Sequence, residues 1–409
     1  MDSWMRIAFN DSPAGYSHTS MDVDESDPAR HYRIHSEVYM ILELMGEKRR
    51  LHVETKVFLD MLRKLQEFSF SFVSGNNTTE IKAVRAKGSD FKVRIKTGAH
   101  LQKAVVAIPD DVVLYSPMTE MALKNLEPGE HLRLKTLDPA SMTPVNVVIR
   151  GLRKQTLTVG SNTVDTTVIG TDYMGADIRT WIDSEGRVVR QETPFGWTLE
   201  RCSPREAVAA LRRAGSERGK DILSELAVPC EGTIHRPREV KKLLLLLKGV
   251  SFEKDELEIY ARQSVRKNSP GETILLVHSA DIQEARAATS SPGAGERHEF
   301  LKSSPYVQAD NEKIQAVARK ITEGYNSPGE KTDAIFEWVH KNVLKEMTVS
   351  FPSALDVLNN MKGDCNEHTY LFTALARASG IPSRINVGIA FHNDAFYYHA
   401  WPSVYTDRW

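Results

Sequence analysis

From Arg33 to about Glu200 the sequence alternates apolar and polar residues with a period of two. No long stretch there carries the 3.6-residue period of a helix. The segments HYRIHSEVYMILEL, FKVRIKTG, KAVVAI, PVNVVIRGL, QTLTVGSNTVDTTVIGTDY and ADIRTWIDSEGRVVRQETPFG are rich in strand-forming residues. Turn-forming residues separate strands at Gly75-Asn76-Asn77, Lys87-Gly88-Ser89, Gly160-Ser161-Asn162 and Ser184-Glu185-Gly186. Many strands at short spacing, without long helices between them, predict one curved antiparallel sheet. PREAVAALRRAG then reads as a helix with Ser203 as N-cap, Pro204 at its first position and Gly215 after its end.

The chain has 409 residues, which implies two or three domains rather than one core. Its formal net charge is −1, and no basic stripe is interleaved with aromatics, so nucleic acid is not an expected partner. The longest apolar run, Leu243 to Leu247, falls far short of the roughly 18–20 residues of a membrane span. MDSWMRIAFNDSPAGYSH has neither the basic nor the apolar region of a signal peptide. Membrane attachment is therefore expected only through an N-terminal segment outside this sequence. The cysteines are Cys202, Cys230 and Cys365, and no C-x-x-C pair suggests structural zinc. A Cys202–Cys230 bridge stays open, beside the reading of both as small, partly buried thiols.

A second block runs from about Val228 to Ala285. REVKKLLLLLKGVSF and ETILLVHSADI read as strands, although periodicity leaves a helix open for the leucine run. TSSPGAGERHE reads as a linker or exposed loop. The third block is helical. Ile314, Val317, Ala318 and Ile321 form one buried face, with Asp310 as N-cap. Ile335, Phe336, Val339 and Val343 repeat the pattern, and PSALDVLNNMKG is a shorter helix closed by Gly363. The predicted organisation is a β-rich domain over 1–203, a helix and small β-rich region over 204–288, a linker over 289–303 and a mixed core over 304–409. The fold class is α+β.

GDCNEH, residues Gly363 to His368, concentrates chemistry-bearing side chains. The following CNEHTYLFTALARASGIP has an apolar stripe of Leu371, Phe372, Leu375 and Ala378, with Gly380 and Pro382 as its stop. Asp364 is the expected N-cap, placing Cys365 at the first helical position. There the helix dipole favours a thiolate, so the thiol pKa is expected below about 8.5. The same backbone donors suit an oxyanion formed when sulfur attacks a carbonyl. SRINVGIAF and FYYHAWPSVY form two strands. In the second, Tyr398, Ala400 and Pro402 share one face, while Tyr397, His399, Trp401 and Ser403 share the other. His399 as base to Cys365, or as a buried and satisfied histidine, both stay open at this point.

A helix-starting Gly-x-Cys, then LARASGIPSR, then a strand holding HAW resembles the transglutaminase-like core of the papain-type cysteine enzymes. AIFEWVHKNV and SALDVLNNMKGDCNEHTYLF extend the resemblance, which covers about Ser304 to Trp409. SWMRIAFNDSPAGYSH, LEPGEHLRLKTLDPASM and WIDSEGRVVRQETPFG resemble a β-rich region that precedes this core in some bacterial proteins, often exported or membrane-anchored. The resemblance implies Cys365 as nucleophile and His399 as general base, then acid. It further implies a thioester formed from a peptide or protein substrate, no cofactor, and an extracytoplasmic location. Protein cross-linking and a non-catalytic β-scaffold with a remnant core are the alternative readings.

The family's third catalytic member is an Asp on the strand after HAW, and the sequence stops first. Asp407 lies about eight strand residues from His399, roughly 26 Å at ~3.3 Å each, too far to orient that ring. A core truncated at its C-terminus, and with it a loss of activity, is the expectation. Around the nucleophile, His368 is a rival base, and Glu367 either lines the cleft or serves the helix dipole. Trp338 and Trp401 read as core aromatics rather than oxyanion donors, with Trp401, Asp364 and His368 possible cleft residues. A metal site built from Cys365, Glu367 and His368 lacks ligand spacing.

Overall fold

The computed structural model describes residues 1–409 except 76, 99, 114–118, 120–121, 139–142, 161, 174, 251–261, 270, 280–293, 350, 352 and 407–408. Its class is α+β. Packing divides the chain into Met1–Leu226 with Met347–Phe351, and Ala227–Glu346 with Pro352–Trp409.

Among the described residues, fifteen strands make up the first unit's sheet. They begin with β1 (Asp2–Phe9), β2 (Ser12–Val23), β3 (Tyr32–Leu44), β4 (Glu47–Leu59) and β5 (Leu65–Ser74). β6 (Asn77–Lys87), β7 (Asp90–Thr97), β8 (His100–Ala107), β9 (Val112–Val113) and β10 (His131–Asp138) follow. β11 (Thr143–Val159), β12 (Asn162–Tyr173), β13 (Ala176–Asp183), β14 (Val188–Glu192) and β15 (Trp197–Arg201) complete it. The order is β8 through β1, then β15 back to β9, so β1 pairs with β15 at the middle of the sheet. Neighbours are antiparallel except β9 and β10.

The predicted antiparallel sheet is thus present, and it starts earlier than Arg33. Asn10 and Asp11, both at positive φ, turn β1 into β2 in the manner of a tight hairpin. Gly15 sits at the β1–β2 bulge, where a Cβ would lie 1.9 Å from the Tyr39 carbonyl oxygen. Phe68, Ile81, Phe91 and Val93 fill one core, and Ile149, Ile169 and Ile182 another. Phe351 stacks edge-on against Phe70 and Phe72 in the first of these.

Helix α1 (Pro204–Ser216) starts with a capping box in which Ser203 and Glu206 satisfy each other's backbone N–H. Ala207, Ala210 and Ala214 are its buried stripe. Such short side chains let the helix approach β1–β3 closely. Gly215 lies within α1 rather than after it, because the Glu217 N–H still bonds the Arg213 carbonyl. A short α2 (Ile222–Leu226) ends the unit.

In the second unit, β16 (Val228–Pro229) pairs with a strand near the chain's end. The leucine run forms β17 (Lys242–Lys248), which pairs with β19 (Glu272–His278), itself paired with β18 (Gln263–Ser269). Cross-strand pairing therefore settles the leucine run as strand. Helices α3 (Ala294–Glu299), α4 (Glu312–Thr322) and α5 (Pro328–Asn342) follow, then β20 (Leu344–Lys345) and α6 (Ala354–Asn360). The stretch read as a linker therefore contains helix α3, while 289–293 lie outside the described residues. β21 (Lys362–Gly363), α7 (Cys365–Ala378), β22 (Ser383–His392) and β23 (Ala395–Val404) complete the unit. The core gathers Ile314 and Ala318 of α4, Ile335 and Val339 of α5, Leu355 of α6, and Leu371 and Leu375 of α7.

Three local readings are corrected. Asn311, not Asp310, caps α4, its side chain accepting the Lys313 N–H at 3.0 Å. Phe336 is 60% exposed and stacks on His340, since it lies outside the stripe that Ile335 and Val339 bury. Met361 closes α6 in the left-handed region, so Gly363 is free for another task. Cys202 and Cys230 are small, partly buried free thiols, as expected, and the bridge left open is not formed.

Candidate active site

The predicted helix start at Cys365 is present, and three adjacent residues build it. Asp364 is the N-cap of α7, accepting the Asn366 N–H at 2.9 Å. Glu367 closes the capping box by accepting the Asp364 N–H at 2.9 Å. Gly363 makes this geometry possible, because a Cβ there would sit 2.2 Å from the Glu367 Cβ. Glu367 is only 5% exposed, so its role is a buried cap rather than a solvated face.

Behind this start, α7 is buried on more than one stripe. Leu371, Ala374, Leu375 and Ala376 are inaccessible to solvent, and so is Thr373. It packs against α4, α5, α6, β22 and β23, which makes it the central helix of its unit. A helix so enclosed holds its first residue in a defined place.

Cys365 is half-buried. Burial pushes its thiol pKa up, the Ala400 N–H directed at the sulfur pulls it down, and the Asp364 and Glu367 carboxylates push it up again. The net direction is upward, against the expectation from the helix dipole. The cause is local: the capping box that satisfies the helix start also sets two carboxylates beside the sulfur. A partial positive charge from the dipole does not offset them together with desolvation.

Strand β23 pairs with β22 through a turn at Asn393 and Asp394, both at positive φ. Ala400 is 3% exposed and faces α7, so the backbone beside His399 runs next to the sulfur. His399 itself alternates onto the opposite, exposed face. Its ring stacks with Trp401 at 6.2 Å between centroids, and no hydrogen bond joins it to Cys365 among the described residues. Trp401 is 39% exposed, which corrects its reading as a core aromatic, while Trp338 packs on the core as expected. The Trp401 ring lies over Gly388, where a Cβ would come within 2.9 Å of it.

His368 is turned away from the sulfur. Its Nδ1 faces the Asp364 carbonyl at 2.7 Å, and its Nε2 faces the Val343 carbonyl at 3.3 Å. Those contacts tie the first turn of α7 to the end of α5 and remove the ring as a rival base.

Two residues at the site were not singled out from sequence. The Tyr398 hydroxyl donates to the Asn366 Oδ1 at 3.1 Å, bridging β23 to the first turn of α7. Burial raises the Tyr398 phenol pKa, and Cys365, Tyr370 and Asp364 raise it further. The signal was available: Tyr398 shares the alternating face of Ala400, the face that meets α7. Asp407 lies outside the described residues. Among the described residues, one trio of potential metal ligands lies close together, His35, Glu37 and Glu54, and there Lys56 already pairs with Glu54 at 2.7 Å.

Residues 315–409 match the family model of the transglutaminase-like superfamily. An uncharacterized protein of Haemophilus influenzae is 32% identical over 96 residues, covering 22% of this chain and 26% of its own length. The chain thus spans about a quarter of that relative. Among solved structures, a candidate cysteine protease from Cytophaga hutchinsonii shares 23% identity, covering 41% of this chain and 62% of that one at a TM-score of 0.27. The periplasmic domain of TgpA from Pseudomonas aeruginosa shares 12% identity over 69% of this chain and 68% of that one, also at 0.27. TM-scores this low do not establish a common arrangement of the whole chains.

Proposed function

Starting from the transglutaminase-like core formed by residues 315–409, we propose that this protein is a cysteine amide hydrolase acting on peptide or protein substrates outside the cytoplasm. The observation that carries the reading is the placement of Cys365. It opens a fully packed helix, and the backbone N–H of Ala400, the residue next to His399, favours its thiolate. In the proposed reaction His399 takes the thiol proton as sulfur attacks the amide carbonyl. The tetrahedral oxyanion sits at the start of α7 beside the Cys365 backbone N–H, which the capping box does not use. Collapse expels the amine, which leaves with the proton from His399. Water then cleaves the thioester and regenerates the thiol. Because His399 lies on the face of β23 opposite the one that meets α7, the proton transfer requires the strand to shift at His399 as well as the ring to leave its stack on Trp401.

The test is incubation of the chain and its Cys365→Ser variant with a mixed peptide library, read by mass spectrometry. New peptide termini that need Cys365 support hydrolysis. A mass loss of about 17 on joining a glutamine peptide to an amine assigns transamidation instead. The raised thiol pKa and the absence of a Cys365–His399 hydrogen bond favour a third reading, a core without catalysis. That reading predicts iodoacetamide labelling of Cys365 that is indifferent to His399→Ala, and no product of either kind.

A further inference from the structure

The first unit holds a cavity of about 300 Å³. Val57 and Phe68 from β4 and β5 form one wall, and Leu134, Val147 and Ile178 from β10, β11 and β13 form another. In hydrogen-bonding order these strand groups are separated by β3, β2, β1, β15 and β14. Side chains so far apart along one sheet can line one space only if the sheet curls until its two arms face each other. Leu137 of one arm shares a buried cluster with Val57 and Phe68 of the other, and the pocket lies beside that contact. The pocket is partly open to solvent, and its apolar lining atoms lack packing partners on that side.

The lining chemistry narrows what could fill it. Apolar surface dominates, and the polar exceptions are Thr55, Gln191, Thr136, Thr171 and Tyr173, the last three offering hydroxyl groups on β10 and β12, to either side of β11. Among the described residues, no Lys, Arg, Asp or Glu lines the space. Burial raises the Tyr173 phenol pKa, and the Asp138 carboxylate raises it further. Among the described lining residues an anionic head group would meet no cation. Mostly apolar walls with a few convergent hydroxyls are the pattern of a small-molecule site.

We propose that this cavity binds an uncharged, mainly aliphatic ligand with one polar end, of the class of a medium-chain alcohol or ester. An apolar cavity of about 150 Å³ takes up benzene, so twice that volume suits roughly ten to twelve carbon atoms. This site is independent of Cys365 and of the amide chemistry proposed for the second unit.

The test uses the full chain and the neutral fluorophore N-phenyl-1-naphthylamine. The expected result is saturable binding of one fluorophore per chain, displaced by 1-decanol and at least tenfold less well by decanoate at pH 8. Ile178→Trp, which fills one wall, should weaken fluorophore binding at least tenfold while the circular dichroism spectrum is unchanged. Thr171→Leu narrows the space from another strand and should act in the same direction. No binding, binding that survives both substitutions in folded protein, or equal competition by decanoate overturns the proposal. If neither variant folds, the wild-type chain decides: 1-decanol at saturation must raise its unfolding temperature, and an unchanged value overturns the site.

Discussion

Two helix starts in this chain use the same cap and do different things with the cysteine beside it. At α1, Cys202 lies one residue before the N-cap Ser203, and Glu206 closes the box. At α7, Cys365 lies one residue after the N-cap Asp364, and Glu367 closes the box. Burial raises both thiol pKa values, and at each the box's Glu adds to the rise. Cys202 is pushed up to about 11, with Glu206 the next cause. A helix start alone therefore does not activate a thiol. The capping carboxylate that stabilises the first turn opposes the dipole at the sulfur. What separates the sites is the opposite partner. Cys365 faces β23, with the Ala400 N–H, the Tyr398 hydroxyl nearby and His399 on the same strand. Cys202 has the Arg6 backbone N–H and the charges of Arg6 and Glu200.

The comparison breaks most sharply at the nucleophile. Cys365→Ser should lower amide hydrolysis by about a thousandfold or more, while Cys202→Ser leaves kcat/KM within about twofold. Equal losses from both would remove Cys365 from its proposed role. His399→Ala comes next, with an expected loss of about a hundredfold or more in kcat/KM and a flattened pH profile.

A smaller effect sharpens the electrostatic half of the comparison. Glu367→Gln removes one negative neighbour from Cys365, so its thiolate is favoured and iodoacetamide labelling at pH 8 should quicken several-fold. The sign follows from a pKa that starts high and moves down toward the assay pH. Cys202, pushed up to about 11, should be the slower of the two cysteines to label in the wild-type chain at that pH. Mass spectrometry of the labelled peptides reads both.

The smallest effects are on stability. Gly363→Ala forces its Cβ into Glu367 and should cost about 1–3 kcal/mol, read by denaturant unfolding. Ser203→Ala, which removes only one partner of the α1 cap, should cost about 1 kcal/mol.

Much of this arrangement was legible in order along the chain. Ser203 with Pro204, and Asp364 before Cys365, carry their helix starts in local sequence, because a cap is formed by side chains within three residues of the backbone they satisfy. Period-two alternation likewise announced the large sheet, and the HAW strand announced which residues share a face. The misreadings come from contacts between distant segments. Phe336 has the right spacing to be buried, yet the partners of α5 select Ile335 and Val339. Trp401 is as apolar as a core residue, but Gly388 on the paired strand gives it room on the outer face.

The electrostatics of the site show where sequence stops and tertiary structure begins. The sequence by itself determined that Cys365 opens a helix, that His399 lies on a strand with Ala400 and Trp401 as neighbours, and that the N-terminal region is sheet. Those features depend on periodicity and short-range hydrogen bonding. Only the tertiary structure decided that the sulfur would be half-buried with a raised pKa, that His368 would be held by two carbonyls, and that the sheet would curl around a cavity. Burial, through-space charge and the meeting of strands far apart in the chain are sums over distant residues, and no local pattern encodes such a sum.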